Sequence, residues 1–294
     1  MKKISGAITA IVTPFLDNGK LDIAAYRKLI DFQIESGIDA IVACGSTGEA
    51  ATLDIDEYET VIKTAVSQAR KKIPIIAGAS HNNTVKAIEL SKIAKKAGAN
   101  MLLHTNPYYN KPTLSGLLAH FKAIVNAANM PLIIYNVPSR TGANMTAQTT
   151  LTIAKEVPNV IGIKEASGNI NQMMEIIKGA PSEFSVLSGD DSLTLPLIAV
   201  GGMGIISVVA NEIPKQFSEM VRAALDGNFE KARKLHYEWL DLIEVNFIES
   251  NPIPVKTALF LMGKISESFR LPLTPMTSKA KAVLENILKK HNLV

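Results

Sequence analysis

The feature that most constrains this chain is a repeat: eight short, continuously apolar, β-rich runs that start between 19 and 34 residues apart. They are ITAIV at 8–12, DAIVAC at 39–44, IPIIAG at 73–78, NMLLHT at 100–105, PLIIYNV at 131–137, NVIGIK at 159–164, FSVLSG at 184–189 and MGIISVV at 203–209. A strand that is apolar at every position is covered on both faces, as in an all-parallel sheet. The intervals are long enough for a helix and carry helical periodicity: Ala87, Leu90, Ala94 and Ala97 share one face, as do Leu117, Phe121 and Ile124. Gly37, Gly98 and Gly227 read as helix stops. Eight βα units with right-handed crossovers close most simply into an α/β fold, the (β/α)8 TIM barrel. Segments 229–248, 255–262 and 277–291 are rich in helix formers and read as a C-terminal helical extension. The expected organisation is a barrel over residues 1–228 and a helical region over 229–294, with no Gly/Ser linker between them.

Composition excludes several classes. With 47% hydrophobic and 20% charged residues, the chain is globular and not a disordered polymer. The formal charge of +4 is spread along it. Its basic pairs, Lys71–Lys72, Lys95–Lys96 and Lys289–Lys290, fall at helix ends, where cations suit the macrodipole, so no nucleic-acid surface is expected. Cys44 is the only cysteine, which excludes an intrachain disulfide and suits a reducing compartment. The opening MKKISGAITAIVTPF imitates the charged and apolar regions of a signal peptide, but Pro14 interrupts it. No stretch reaches the roughly 18 apolar residues of a membrane span, so this opening is read as the first core strand of a cytoplasmic protein.

Barrel active sites lie at the carboxyl ends of the strands, and Lys164 closes the sixth run. A lysine there either snorkels to water or does chemistry. Its neighbours at other strand ends favour chemistry: GSTGE (45–49), NPYYNKP (106–112), YNVPSRTG (135–142) and SGDD (188–191) bring hydroxyls, phenols and one arginine together. A lysine amine attacks a ketone when unprotonated, and burial disfavours the ammonium. The product is a Schiff base, whose iminium turns a 2-oxo acid into an enamine able to attack an aldehyde. Tyr135, one strand away, is suited to the proton transfers. Ser46 and Thr47 offer hydroxyls for a carboxylate, although GSTGE also fits a helix N-cap loop. Arg140, otherwise a solvated loop residue, stands beside Ser139 and Gly142 and is able to clamp a second carboxylate.

Two other chemistries are weaker. His81 and His104 with Asp190 or Asp191 are candidates for a metal-dependent aldolase, but no H-x-H or H-E-x-x-H spacing supports them. They are read as hydrogen-bonded packing residues, and no metal or cofactor is expected. The glycines of VGGMG (200–204) precede strand eight, at the wrong end of the barrel for a phosphate cradle, and read as a turn.

The combination of GSTGE, PYYN, YNVPSRTG, GIKEASGN and SGDD with NPIPVK (251–256) and RLPLTP (270–275) resembles the dihydrodipicolinate synthase family, from the first strand to the C-terminal segments. Related pyruvate-dependent aldolases such as N-acetylneuraminate lyase share the lysine, a GSTGE-like loop and the strand-five tyrosine. The arginine of PSRTG points to the synthase. The resemblance implies a lyase that condenses pyruvate with aspartate 4-semialdehyde, the committed step toward diaminopimelate and lysine. It implies that Lys164 forms the Schiff base, that Tyr135 relays protons, and that Thr47 links Tyr135 to Tyr109. Tyr109 enters the neighbouring subunit's site in this family, which implies at least a dimer and usually a tetramer, a dimer of dimers. The resemblance further implies that Arg140 receives the aldehyde's carboxylate and that Gly189 and Ile206 line the pyruvate pocket. Ser46 stands where many members have threonine and keeps the hydroxyl.

Members inhibited by lysine bind it near PYYN, and the matching positions here keep Ala51, Asn82 and Tyr108. Their carboxylate position is Lys86 in this chain and a histidine position is Ile55, so free lysine is expected to bind poorly, with the Tyr58 hydroxyl as the available compensation. Two competing readings remain at this point: an aldolase acting on a sugar acid, and a silent barrel that binds a 2-oxo acid around a structural Lys164.

Overall fold

The computed structural model describes residues 3–294. All eight apolar runs are strands: β1 (Gly6–Ala10), β2 (Ala40–Ala43), β3 (Ile75–Gly78), β4 (Met101–Thr105), β5 (Leu132–Asn136), β6 (Val160–Glu165), β7 (Ser185–Ser188) and β8 (Gly204–Ser207). They pair in parallel in chain order, and β8 returns to β1 to close the barrel. Between them run α1 (Ile23–Glu35), α2 (Ile55–Ala69), α3 (Thr84–Lys96), α4 (Leu114–Ala128), the single turn α5 (Pro138–Thr141), α6 (Ala147–Glu156), α7 (Ile170–Gly179) and α8 (Thr194–Ala199). After β8 come α9 (Pro214–Leu225) and three C-terminal helices, α10 (Phe229–Val245), α11 (Ile253–Leu261) and α12 (Ser278–Lys290). No helix among the described residues is long and apolar enough to cross a membrane.

Local chemistry sets the helix ends. Asp54 and Glu57 form a reciprocal capping box at the start of α2, and Asn83, Thr113 and Thr277 cap α3, α4 and α12 with side-chain oxygens. Gly37, Gly98 and Gly227 follow α1, α3 and α9 with positive φ, as helix stops do. The buried face of α3 is Ala87, Ser91 and Ala94, with Leu90 only half-buried. The VGGMG segment is the connection from α8 to β8.

The apolar core has two shells. Ile8, Val42, Ile76, Leu103, Ile133, Leu187 and Ile206 fill the barrel interior. Their strand neighbours, such as Ala7, Ile41, Leu132 and Ile163, face outward onto the helices. Burying each of the large aliphatic side chains contributes about 1.5–3 kcal/mol.

One irregularity in this alternation governs the mouth. Along β6, Val160 packs in the outer shell and Ile161 against the inner one, so simple alternation would turn Lys164 outward. The β5–β6 register instead shifts between Leu132 and Ile133, which pairs Ile133 with Gly162 and Tyr135 with Lys164. This bulge inserts one residue, reverses the phase and returns Ile163 to the outer shell. Lys164 therefore points into the barrel beside Tyr135.

Candidate active site

Lys164 is the penultimate residue of β6, 5% exposed, with Tyr135 of β5 as its lateral partner on one side and Leu187 of β7 on the other. Its Nζ lies 4.5 Å from the centroid of the Tyr135 ring. Glu165 points the opposite way and fastens the strand end from behind. Its carboxylate accepts from Ser167 N at 2.7 Å, Asn136 Nδ2 at 3.0 Å and Gln172 Nε2 at 3.1 Å. Gly189 must lack a side chain here, because a Cβ would stand 3.0 Å from Lys164 Cε and 2.7 Å from Ala166 Cβ.

The surroundings shift both reactive groups. Burial pulls the Lys164 ammonium from 10.5 down to about 8, the charge of Asp191 pushes it back up, and Arg140 pulls it down again. Burial pushes the Tyr135 phenol up to about 12, offset by Arg140, so it stays protonated near neutral pH. Asp191 is itself raised to about 6 by burial, while the bonds it accepts from Ser207 Oγ (2.5 Å) and Val208 N (3.1 Å) oppose that rise. A lysine whose neutral form is accessible, next to a protonated phenol, has the groups needed for imine formation.

A cavity of about 790 Å³ opens above these residues. Lys164, Tyr135, Ser46, Thr47, Arg140 and Gly189 all line it. Ile206 does not: it is fully buried in the inner shell, paired with Ile8. Tyr109 is likewise not brought to this wall. It is 89% exposed with φ of +70° on the loop after β4, whereas its neighbour Tyr108 lines the cavity.

The Ser46 and Thr47 hydroxyls of GSTGE cap no helix: Glu49 leads into a single 3-10 turn without a side-chain cap, and Asp54 caps α2. Ser46 is exposed and Thr47 buried, and Thr47 Oγ1 accepts from Asn251 Nδ2 at 3.0 Å. Thr13 Oγ1 donates to Gly48 O at 2.7 Å, and Glu49 forms a buried ion pair with Lys256. Arg140, on α5, donates from Nη2 to the main-chain oxygen of Asn251 at 2.9 Å. Sequence reasoning missed Asn251 and Lys256 because they lie more than a hundred residues from the loops they hold, and NPIPVK carries no catalytic spacing.

The histidines of the metal reading part company. His104 faces α3, where Nε2 bonds to Ser91 Oγ at 3.0 Å, and only His81 reaches the cavity. Lys86, Ile55, Ala51 and Tyr58 line the same cavity, with Lys86 exposed.

A closed parallel barrel with a buried lysine and a phenol at its carboxyl mouth belongs to the barrel enzymes, and comparison with known proteins narrows the class. Residues 3–291 match the Dihydrodipicolinate synthetase family. The chain is 53% identical over 289 residues to a 4-hydroxy-tetrahydrodipicolinate synthase of Maridesulfovibrio salexigens, covering 98% of this chain and 99% of the relative. It superposes on the dihydrodipicolinate synthase of Aquifex aeolicus with a TM-score of 0.96 at 46% identity, covering 99% of each chain. It superposes with a TM-score of 0.97, at 45% identity, on the chloride-inhibited dihydrodipicolinate synthase of Acinetobacter baumannii complexed with pyruvate, covering 99% of this chain and 100% of that one. The chain belongs to the dihydrodipicolinate synthetase family.

Proposed function

We propose that the protein is a lyase that condenses pyruvate with aspartate 4-semialdehyde to 4-hydroxy-tetrahydrodipicolinate, through a Schiff base on Lys164, as the committed step toward diaminopimelate and lysine. The observation that carries this is a buried Lys164 with its pKa lowered to about 8, set against the Tyr135 ring inside the mouth of a barrel of this family. The neutral amine adds to the C2 carbonyl of pyruvate, and loss of water gives the iminium. The iminium acidifies the C3 hydrogens, so loss of one proton gives the enamine that attacks the aldehyde carbon. Tyr135 relays protons to and from the departing and attacked oxygens, and Thr47 connects it outward to the Tyr109 that a second subunit contributes.

Ser46 and Thr47 take the pyruvate carboxylate. Gly189 leaves room beside Lys164. Arg140 takes the carboxylate of the aldehyde. Tyr109, a large side chain left 89% exposed at the rim, completes the site of a second subunit, so the working unit is at least a dimer and is read as a tetramer, a dimer of dimers. A lone cysteine fits a cytoplasmic location. Residues 1–228 are read as the barrel unit and 229–294 as its helical extension.

The deciding experiment is mass analysis after pyruvate and borohydride, followed by a rate assay with aspartate 4-semialdehyde. An adduct on Lys164 and turnover of the semialdehyde are expected; labelling elsewhere, or none, overturns the mechanism. Mixing inactive Tyr109→Phe and Lys164→Ala subunits is expected to restore activity, because a hybrid holds one site with both residues intact.

A further inference from the structure

Asn251 is 6% exposed, lines the cavity and faces both ends of the site. Its Nδ2 donates to Thr47 Oγ1 at 3.0 Å, and its main-chain oxygen accepts from Arg140 Nη2 at 2.9 Å. Its Oδ1 is buried and has no partner among the described residues. A buried carboxamide oxygen without a donor is costly unless something supplies one.

Resting on the function proposed above, we infer that Asn251 is a specificity-determining residue: its Oδ1 accepts a hydrogen bond from the α-ammonium of the aldehyde substrate, while its main-chain oxygen holds the arginine that takes the same substrate's carboxylate. In an α-amino acid the ammonium and the carboxylate are carried by the same carbon. An acceptor on the residue that anchors the carboxylate's guanidinium is therefore within reach of the ammonium.

All but one of the nearby acidic groups are already engaged. Asp191 accepts from Ser207 and Val208, Asp190 from Ser192 N and Oγ, and Glu49 pairs with Lys256. Asp54 caps α2, while Glu89 is not engaged but stands exposed to solvent on α3. A neutral acceptor also suits the place better than a carboxylate would. A carboxylate beside Arg140 would pair with the guanidinium and compete with the incoming substrate.

The test compares two ligands of the pyruvate-loaded enzyme: aspartate 4-semialdehyde as substrate, and 4-oxobutanoate, the same aldehyde without the amino group, as competing inhibitor. In Asn251→Leu, which keeps the volume but removes the acceptor, KM for the semialdehyde is expected to rise by about tenfold to a hundredfold. The Ki of 4-oxobutanoate is expected to stay within about threefold, because the carbonyl that holds Arg140 belongs to the main chain. Asn251→Ala gives the same reading if the leucine variant fails to fold. Asn251→Asp restores an acceptor and is expected to recover the preference for the amino-bearing aldehyde, though its charge weakens both ligands. Equal losses for the two ligands, or no change in either, overturn the inference. Labelling of Lys164 by pyruvate and borohydride in each variant reports separately on the function itself. Its absence in the parent protein sinks that reading and this inference together.

Discussion

Two lysines in this molecule are almost equally buried and are used in opposite ways. Lys256 on α11 is fully buried, paired with Glu49 and set between the Phe15 and Phe269 rings at 4.5 and 5.0 Å. Burial pulls its pKa down, and Glu49 pushes it back up. Lys164 has a ring at a similar distance but no carboxylate hydrogen-bonded to its Nζ among the described residues. Burial alone therefore does not make a lysine a nucleophile. What matters is whether a paired carboxylate keeps the ammonium charged. The seam around Lys256 is a fastening: Glu49 follows Thr47 by two residues, and Arg270 continues the network to Glu57, Thr52 O and Gly19 O. The mouth around Lys164 is left electrostatically open for a substrate.

The largest expected effect separates the two sites by chemistry. Lys164→Ala should lose about 1000-fold or more of turnover while its circular dichroism stays that of the parent, since the proposed covalent intermediate depends on that amine. Pyruvate and borohydride should never label Lys256, and an adduct there would break the comparison.

The next effect separates them by stability. Lys256→Met leaves Glu49 buried without its cation and should cost about 3–5 kcal/mol in denaturant unfolding. Adding Glu49→Leu should recover most of that loss. A double variant as weak as the single one would show that the pair does not act as a unit.

Lys164 should behave in the reverse sense. Its folded pKa lies below its unfolded one, so the folded state binds fewer protons between about 8 and the ordinary 10.5. Stability contributed by this group thus rises with pH across that window, and below about 8 its burial costs up to about 3 kcal/mol. Lys164→Met should accordingly unfold no more easily than the parent at pH 7 and lose the part of the pH dependence between 8 and 10.5. The rate of imine formation with pyruvate should rise about tenfold per pH unit below about 8 and level off above it.

The smallest effect concerns a third lysine. Lys86 is exposed on the cavity's outer flank. Lys86→Ala should change the rate less than about twofold, as surface substitutions do. Added L-lysine should leave the rate flat into the millimolar range, because an ammonium in place of a carboxylate repels the effector's own cation. Strong inhibition at submillimolar lysine would overturn that expectation.

By itself, the sequence determined the eight strands, the helices between them and the loops that meet at the mouth. These are written in local patterns, since an apolar run bounded by turns and a three-to-four spacing need only near neighbours to be read. That Lys164 lies at a strand's carboxyl end was legible for the same reason. Its direction was not. Alternation counted from Val160 turns it outward, and only the slip in pairing against β5, settled by how eight strands close, turns it into the barrel. Asn251 and Lys256 were hidden for a related reason. They meet Thr47 and Glu49 across 204 and 207 residues of chain, and nothing in a local pattern records which distant side chains the closed barrel and its last helices bring together.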